Sequence, residues 1–204
     1  MRGRFITLEG LDGAGKSTHL RWIAHYLSSR GIRVKVTREP GGTVAGERLR
    51  RLILNRNQRL NPETETLLMF AARREHMDKV IVPALERGTW VLCDRFTDAT
   101  YAYQSGGSGV SWDKIQILER WVQQDLQPDL TILFDISPEL ARRRASRKRR
   151  PDRFERERER YYRKVRRAYQ RRAADCASRI RIVDAAASLS EVKKQLETIL
   201  TRYY

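Results

Sequence analysis

The feature that most constrains this chain is a glycine-rich run near its start, Gly10-Leu-Asp-Gly-Ala-Gly-Lys-Ser17. It fits the pattern G-x-x-x-x-G-K-[ST], with a short apolar, strand-like run before it and the helix-like segment Thr18 to Leu27 after it. Its glycines let the backbone wrap closely, so that successive N–H groups point inward and the following helix adds the positive end of its dipole. The run therefore predicts a loop that binds a polyphosphate.

Polar side chains at the ends of two predicted strands extend this prediction to chemistry. Lys16 is expected to reach the outer phosphates, and the Ser17 hydroxyl is expected to help hold a Mg²⁺ that bridges them. Asp94 follows the apolar run Trp90 to Cys93, and nucleotide-binding folds keep an acid for Mg²⁺ or its bound water at the carboxyl end of such a strand. Ser17 and Asp94 are therefore the predicted metal ligands.

Strand-like and helix-like segments alternate along all 204 residues. This predicts a single domain, residues 1–204, with a five-stranded parallel sheet covered by helices on both faces in three layers. Together with the loop, the pattern predicts an α/β fold of the P-loop NTPase type. After the first strand, strands are expected at Val34–Thr37, Trp90–Cys93, Leu130–Ile136 and Ile180–Asp184. Long helices are expected at Pro62–Glu86, Trp112–Leu126, Phe154–Cys176 and Ser190–Leu200, and a loop at Gln104–Gly109.

Positive charge is concentrated in one part of the chain. The formal net charge is +17, and residues 142–181 carry +14 of it, from 19 Lys or Arg against 5 Asp or Glu. So localised a charge favours one basic element that serves a polyanionic ligand, or a solvated helix face, over a protein that is basic all round. Residues 142–153 are too charged to pack. The following helix has one apolar stripe, which predicts that it docks: Phe154, Tyr161, Val165, Ala168, Tyr169 and Cys176.

Two further stretches are candidates for contacting a substrate. The turn cluster Arg38 to Thr43 follows the second strand, at the end of the sheet where ligands of open α/β folds bind. In the long helix, Phe70 and Arg74 are four residues apart on an otherwise apolar stripe, and an arginine there needs a partner. A substrate cleft is one source of that partner. The alternative is a core Phe70 beside an Arg74 that extends to the surface.

The sequence also favours some locations and disfavours some functions. No stretch approaches the roughly 18 apolar residues that a membrane-spanning helix needs. The start of the chain enters its first strand directly, so a cytoplasmic location is expected. Cys93 and Cys176 show no metal or redox spacing, and we expect them to be free thiols.

Several of these stretches together closely resemble bacterial thymidylate kinases, and the resemblance covers essentially the whole chain. They are Gly10–Ser17, Arg38-Glu-Pro-Gly-Gly42, the Phe70/Arg74 pair, Asp94-Arg95 and Tyr103-Gln104. The resemblance implies an enzyme that transfers the γ-phosphoryl of ATP to dTMP with Mg²⁺, giving dTDP and ADP for dTTP supply. It also implies a homodimer whose partners are ATP and dTMP, with no nucleic acid and no membrane.

The resemblance implies a role for individual residues toward dTMP. The dTMP-binding residues are expected to be Asp12, Glu39, Pro40, Arg50, Phe70, Arg74, Arg95, Thr100, Tyr103 and Gln104. Phe70 is expected flat against the thymine ring, with Arg74 at the base edge. Tyr103 is expected against the sugar, and Arg50 and Arg95 on the phosphate. Asp12 resembles the carboxylate that the family places near the sugar 3′-hydroxyl.

The resemblance also assigns the ATP site and the catalytic groups. ATP is expected on Gly10, Leu11, Asp12, Gly13, Ala14, Gly15, Lys16, Ser17, Thr18, Arg142 and Arg153. In family terms the basic run at about 142–153 is an arginine-rich lid. The chain resembles the subgroup whose catalytic arginine lies in the lid, because the loop itself has none. Arg147 is the first candidate, followed by Arg142, Arg149 and Arg153. Lys16, Arg95 and Arg147 are the expected catalytic residues.

Three other functions remain open on the sequence. An RNA- or DNA-binding P-loop ATPase would use the basic helix as its nucleic-acid surface, but it leaves Phe70, Arg74 and Tyr103 without a role. A GTPase is disfavoured because the chain contains no Asn-Lys-x-Asp stretch. A kinase for another nucleoside monophosphate would differ from a thymidylate kinase only in its acceptor.

Overall fold

A computed structural model describes residues 2–55, 57, 60–145 and 153–203. Five parallel strands form one sheet in the order β2-β3-β1-β4-β5. The strands are β1 (Phe5–Gly10), β2 (Val34–Arg38), β3 (Trp90–Asp94), β4 (Leu130–Asp135) and β5 (Ile180–Asp184). The helices are α1 (Lys16–Ser28), α2 (Val44–Ile53), α3 (Pro62–His76), α4 (Val82–Glu86), α5 (Thr97–Thr100), α6 (Trp112–Gln123), α7 (Pro138–Ala145), α8 (Arg153–Asp175) and α9 (Leu189–Leu200).

The alternation of side chains along the strands gives the sheet two apolar faces. One face carries Phe5, Val91 and Cys93, which pack in a cluster with Met77 and Ile81 from the helical segment between α3 and α4. The other carries Ile6, Leu8 and Leu92, which pack in a cluster with Leu20, Ile23 and Leu27 of α1 and Leu196 of α9. The predicted three-layer fold with a five-stranded parallel sheet is thereby confirmed.

Strand order places the functional groups at one edge of the sheet. β1 lies in the centre, paired with β3 on one side and β4 on the other. Its residue Leu8 is in register with Asp94, the last residue of β3. Because parallel strands end at the same edge, the loop after β1 and the turn after β3 emerge side by side, as ligand sites of open α/β sheets require.

Helix α8 packs closely on a π-helical segment, Tyr101–Gly107, that extends α5. Two glycines permit this contact: a Cβ at Gly106 would lie 2.4 Å from the Ala168 Cβ, and one at Gly107 would lie 2.5 Å from the Tyr161 ring. Near its end, α8 is tied to α5 by a buried ion pair in which Arg172 Nε donates to Asp98 Oδ1 at 2.8 Å. The docking of this helix, which the apolar stripe predicts, is confirmed.

Three elements differ from those expected by more than two residues or in the type of helix. The loop predicted at Gln104–Gly109 is helical as far as Gly107, because α8 covers that segment and its small residues fit beneath it. The helix predicted at Trp112–Leu126 ends at Gln123, since Gln124 has a φ of 51°. A π-helical turn, Met77–Ile81, joins α3 to α4 within the helix predicted at Pro62–Glu86. No helix in the part of the chain that the structure describes combines the length and the apolar character needed to cross a membrane.

The contact between Gly106 and α8 gives a stability prediction. Gly106→Ala should lower the free energy of unfolding by about 1–3 kcal/mol, because the new methyl group overlaps Ala168 and overpacks the contact. Ala168→Gly alone should cost about 1 kcal/mol through helix propensity. The double variant should lose less unfolding free energy than the sum of the two single losses, because the glycine at 168 makes room for the new methyl group. Urea unfolding of all four proteins in a double-mutant cycle measures this difference. Purely additive losses would show that the two residues do not compete for space.

Candidate active site

The loop after β1 surrounds the ammonium group of Lys16. Gly13 and Gly15 have φ values of 87° and 88°, the left-handed region that glycine adopts without strain. Lys16 is almost fully buried, and its Nζ donates to the backbone oxygens of Gly10 at 3.1 Å and Leu11 at 2.9 Å. Burial, together with the positive charge of Arg95, lowers the pKa of Lys16 to about 8. The loop thus fixes a cation beside a row of backbone N–H groups.

Two cavities open at this edge of the sheet. The first, which we call the loop cavity, has a volume of about 550 Å³ and is lined by residues 12–19 with Asp94, Arg144 and part of the segment from Ala185 to Val192. The second, the lateral cavity, measures about 440 Å³ and lies toward α2, α3 and α5. Asp12 and Asp94 line both. The two cavities therefore meet at the phosphate loop and at the end of β3.

Arg95 stands at this junction and is held from two sides. Its φ of 73° is unusual for a residue with a side chain. Its Nη1 donates to the Tyr169 hydroxyl at 3.1 Å, and its Nη2 donates to Asp12 Oδ1 at 2.7 Å and to the Tyr103 hydroxyl at 3.1 Å. Burial alone would raise the pKa of Asp12, but Arg95 and Lys16 lower it. Asp12 is thus ionised beside two cations.

The cation that faces the lateral cavity from α3 is Arg73. Its side chain is 2% exposed; Nε donates to Glu39 Oε2 at 2.8 Å and Nη2 donates to Thr100 Oγ1 at 3.1 Å. Its Nη1 is buried and has no hydrogen-bond partner among the described residues. Met69, one helical turn earlier, lines the same cavity. An unsatisfied buried donor at a cavity wall is suited to an acceptor atom on a ligand.

The expected placement of Phe70 and Arg74 in this cavity is wrong by one residue. Phe70 is 1% exposed and packs in a core cluster with Tyr101 and Ile115. The Arg74 side chain is 45% exposed and pairs with Asp78 at 2.8 Å, one turn along the same helix. The stripe that faces the ligand cavity is the one next to the predicted stripe, so Met69 and Arg73 occupy the positions expected of Phe70 and Arg74.

The other residues expected to contact dTMP line the lateral cavity. These are Asp12, Glu39, Pro40, Arg50, Arg95, Thr100, Tyr103 and Gln104. Glu39 has both carboxylate oxygens engaged, by Arg73 and by His76 Nδ1 at 3.0 Å, so it orients Arg73. Arg50 Nη1 donates to the Pro40 backbone oxygen at 2.8 Å. Gln104 Nε2 donates to Glu65 at 2.7 Å at the cavity wall.

Asp94 and Ser17 fit the oxygen-rich surroundings that Mg²⁺ requires. The Oδ1 atom of Asp94 is buried without a hydrogen-bond partner among the described residues, although the carboxylate lines both cavities. Ser17 is exposed in the loop cavity. A hard divalent cation takes few protein ligands of this kind and completes its shell with water and phosphate oxygens. The residues present therefore suit the predicted ion.

The basic run is described in part. Arg142 lies in α7, and in the same helix Arg144 donates from Nη1 to the Ala185 oxygen at 2.5 Å and lines the loop cavity. Arg153 is the first residue of α8. Arg147 and Arg149, the other candidates for the catalytic arginine, lie outside the described residues.

Several residues of the site were missed in the sequence. Tyr161 lines the lateral cavity and Tyr169 contacts Arg95, yet both belong to the apolar stripe of α8 that indicated a docked helix. A signal was available, because tyrosine on an otherwise apolar stripe brings a hydroxyl that needs a partner. Met69 and Arg73 carry the same four-residue spacing as Phe70 and Arg74, so spacing alone did not separate the two pairs.

A P-loop on a central parallel strand, opening on two adjoining cavities, defines a phosphotransferase of the nucleoside monophosphate kinase class. The family model for thymidylate kinase matches residues 8–196. The chain belongs to the thymidylate kinase family, as the resemblance seen in the sequence implies.

Individual relatives cover the whole chain. The thymidylate kinase of Nitrosospira multiformis is 55% identical over 204 residues and spans 100% of both proteins. That of Cupriavidus taiwanensis is 54% identical over 202 residues and spans 98% of both. Among solved structures, the crystal structure of thymidylate kinase from Ehrlichia chaffeensis matches with a TM-score of 0.80 and 33% identity, over 98% of this chain and 99% of that one.

The corrected placement on α3 gives a prediction with a matched control. Arg73→Lys keeps a positive charge beside Glu39 but loses the forked N–H groups of arginine. It should raise the KM for dTMP, the acceptor that the resemblance implies, about tenfold or more, with a smaller change in kcat. Arg74→Ala removes an exposed ion pair with Asp78 and a hydrogen bond to the Val122 oxygen. Because none of these residues lines the lateral cavity, it should change the KM less than about twofold. A larger effect of Arg74→Ala than of Arg73→Lys would restore the original placement.

Proposed function

We propose that this chain transfers the γ-phosphoryl of ATP to dTMP and forms dTDP and ADP, the step that leads to dTTP. The observation that carries this proposal is the meeting of two cavities at the phosphate loop, where Asp12 and Asp94 line both. Transfer between two bound nucleotides needs adjoining sites with the reacting phosphates in line at their junction. Its family membership supports the choice of nucleotides.

ATP occupies the loop cavity in this proposal. Its phosphates lie on the backbone N–H groups of residues 10–18, and the ammonium group of Lys16 meets their outer charge. The Lys16 side chain is already directed by two backbone oxygens, so little ordering is needed when the nucleotide binds. The nucleoside part extends toward Arg144 and the segment that begins α9, which line the same cavity.

dTMP occupies the lateral cavity. The unpartnered Nη1 of Arg73 suits a carbonyl oxygen of the thymine base, and Met69 and Phe96 offer apolar surface beside it. Arg50 and Arg95 take the phosphate. Their guanidinium groups are held by the Pro40 oxygen and by Tyr169, Tyr103 and Asp12. Tyr103 lies against the sugar, and Asp12 lies near its 3′-hydroxyl.

Phosphoryl transfer requires neutralisation of the phosphate charges and alignment of the attacking and leaving oxygens more than it requires proton transfer. The nucleophile is an oxygen of the dTMP phosphate, which is ionised at neutral pH, so no general base is required. Lys16 and Arg95, at the meeting point of the two cavities, reduce the repulsion between the two polyanions. An arginine of the basic run completes the arrangement, with Arg147 the first candidate and Arg142, Arg149 and Arg153 next. Closure of this lid excludes water, which would otherwise take the phosphoryl group.

We also propose Mg²⁺ as the cofactor, with Ser17 and Asp94 as the residues that would hold it. When bound, the ion would neutralise charge on the phosphates of ATP. The buried, unpartnered Oδ1 of Asp94 supports this assignment. Asp94 is kept free for it because the neighbouring Arg95 is directed to Asp12 and the two tyrosines.

A homodimer in the cytoplasm completes the proposal. An exposed apolar surface on α3 and α6 supports the homodimer. Leu67 and Ile117 line one apolar groove there, and both are more than half exposed. Trp121, one turn along α6, is 74% exposed. A contiguous apolar surface of this kind is suited to a second copy of the chain.

Turnover with a panel of acceptors tests the activity. With ATP and Mg²⁺, kcat/KM should be highest for dTMP among dTMP, dUMP, UMP, AMP, GMP and CMP, because Arg73 and the apolar wall read a thymine base. Lys16→Ala should lose at least about 10²-fold in turnover with dTMP and keep the circular dichroism spectrum of the parent. A preference for AMP or GMP would refute the proposed acceptor. ATP hydrolysis stimulated by nucleic acid would support the ATPase alternative.

The lowered pKa of Lys16 predicts a pH dependence. Lys16 is positively charged below its pKa of about 8 and neutral above it. The kcat/KM for ATP, which reports the free enzyme, should therefore fall as pH rises above about 8. Lys16→Arg keeps the charge to much higher pH and should lack this fall, even if its activity is lower throughout. The same fall in both proteins would assign it to another group.

A further inference from the structure

A carboxylic acid is buried directly beneath the phosphate loop. Glu9 is the residue before Gly10 and has no exposed surface. Its Oε1 accepts from the backbone N–H of Phe96 at 2.7 Å, and its Oε2 accepts from the Tyr169 hydroxyl at 2.8 Å. Glu9 lines neither the loop cavity nor the lateral cavity. The proposed phosphoryl transfer does not use its carboxyl group directly. A buried carboxyl group at such a position needs a reason, since its burial is unfavourable.

The direction of the hydrogen bonds links Glu9 to Arg95. A guanidinium group can only donate, so the Tyr169 oxygen must accept from Arg95 Nη1. The single hydroxyl proton of Tyr169 is then left for Glu9 Oε2. The hydrogen bonds therefore run in one direction, from Arg95 through Tyr169 to Glu9, and Glu9 must act as an acceptor.

The hydrogen bonds through Tyr169 to Glu9 hold Arg95 from its buried side. On the other side of the guanidinium group, the Asp12 carboxylate is 70% exposed, so its attraction is screened by solvent. Tyr169 by contrast is buried, on a helix that packs closely against the Tyr101–Gly107 segment. The Tyr169 hydroxyl is thus a firmer anchor for Arg95 than the Asp12 carboxylate.

We infer that Glu9 and Tyr169 are positioning residues that hold the Arg95 guanidinium in place for the phosphate of the acceptor nucleotide. The inference rests on the proposed function, which places that phosphate on Arg95. Neither residue contacts the nucleotide. Glu9 fixes the direction of the Tyr169 hydroxyl, and Tyr169 fixes Arg95.

The protonation state of Glu9 bears on this arrangement. Burial, and next the negative charge of Asp98, raise the pKa of Glu9 to about 7, against the opposing effect of Arg95. A protonated Glu9 that donated to Tyr169 would leave the tyrosine proton facing the N–H groups of Arg95. The groups that interact with Glu9 are Arg95, Asp98, Lys16, Tyr169 and the Cys93 thiol. Arg95 is therefore held best above about pH 7, where Glu9 is ionised.

Tyr169→Phe tests the positioning role. It should lower kcat/KM for dTMP roughly 10- to 100-fold, the range for losing one hydrogen bond to a charged group, with the KM for ATP nearly unchanged. Tyr101→Phe is the matched control, because that buried hydroxyl also donates to a carboxylate, Glu119, at 2.5 Å but has no contact with Arg95 among the described residues. It should lower stability and leave kcat/KM close to that of the parent.

Glu9→Gln tests the direction of the hydrogen bonds from Arg95 through Tyr169 to Glu9. The glutamine oxygen can accept from Phe96, and its amide group then donates to Tyr169 as the protonated acid would. The ratio of parent to variant kcat/KM for dTMP should rise from near 1 at pH 6 to roughly 10 or more at pH 8. A ratio is needed because the acceptor phosphate itself titrates near pH 6, as phosphate monoesters do, with a pKa of about 6.

The outcomes separate this inference from the proposed function. Equal losses in Tyr169→Phe and Tyr101→Phe, an equal rise in the KM for ATP, or a ratio independent of pH would each overturn the positioning role. If Glu9→Gln does not fold, Tyr169→Phe alone decides. If the parent enzyme prefers another acceptor, the proposed function fails, and the same ratios are then measured with that acceptor.

Discussion

The structure depends on keeping positive charge available at one edge of the sheet without neutralising it inside the protein. Lys16 shows how this is done. Its ammonium group is buried, but its close partners are the backbone oxygens of Gly10 and Leu11. The carboxylate that pairs with it among the described residues, Asp12, is 3.9 Å away and largely exposed. Carbonyl dipoles offset part of the penalty of burial and leave the full charge for a phosphate. A buried carboxylate at the same place would have bound the lysine in the absence of nucleotide.

The same constraint separates the two arginines of the lateral cavity. Arg73 is paired with the buried carboxylate of Glu39, which suits a group that offers a hydrogen bond to an uncharged base. Arg95 has its buried contact with a tyrosine, and the carboxylate of Glu9 stands one hydrogen bond further away. This spacing orients the guanidinium group while leaving more of its charge unneutralised, which suits a group that meets a phosphate.

The sequence allowed the fold and the loop to be predicted because each has a local cause. Alternating apolar segments require a covered parallel sheet, and the Gly10–Ser17 pattern has few other uses. The α3 residues were harder. Met69 with Arg73 and Phe70 with Arg74 have identical spacing, and which pair faces the cavity depends on how α3 is rotated against its neighbours. That rotation is set by tertiary packing, in which the larger ring of Phe70 fills the cluster around Tyr101 and Ile115. The role of Tyr169 depends likewise on Glu9 and Arg95, which lie far from it in the sequence.

The net charge of residues 142–181 overstates the positive charge that is available to a ligand. Several arginines of residues 142–181 are used within the fold: Arg144 binds the Ala185 and Ala186 oxygens, Arg163 pairs with Glu139, Arg166 pairs with Asp135, and Arg172 and Arg179 enclose Asp98. Asp98 keeps its charge there, because these two arginines outweigh the effect of burial and lower its pKa. Arginine suits such buried pairs, since its planar group makes several hydrogen bonds at once. A good part of the local excess of +14 therefore fixes α7 and α8 against the sheet, and the charge left for a ligand is smaller than the sequence suggests.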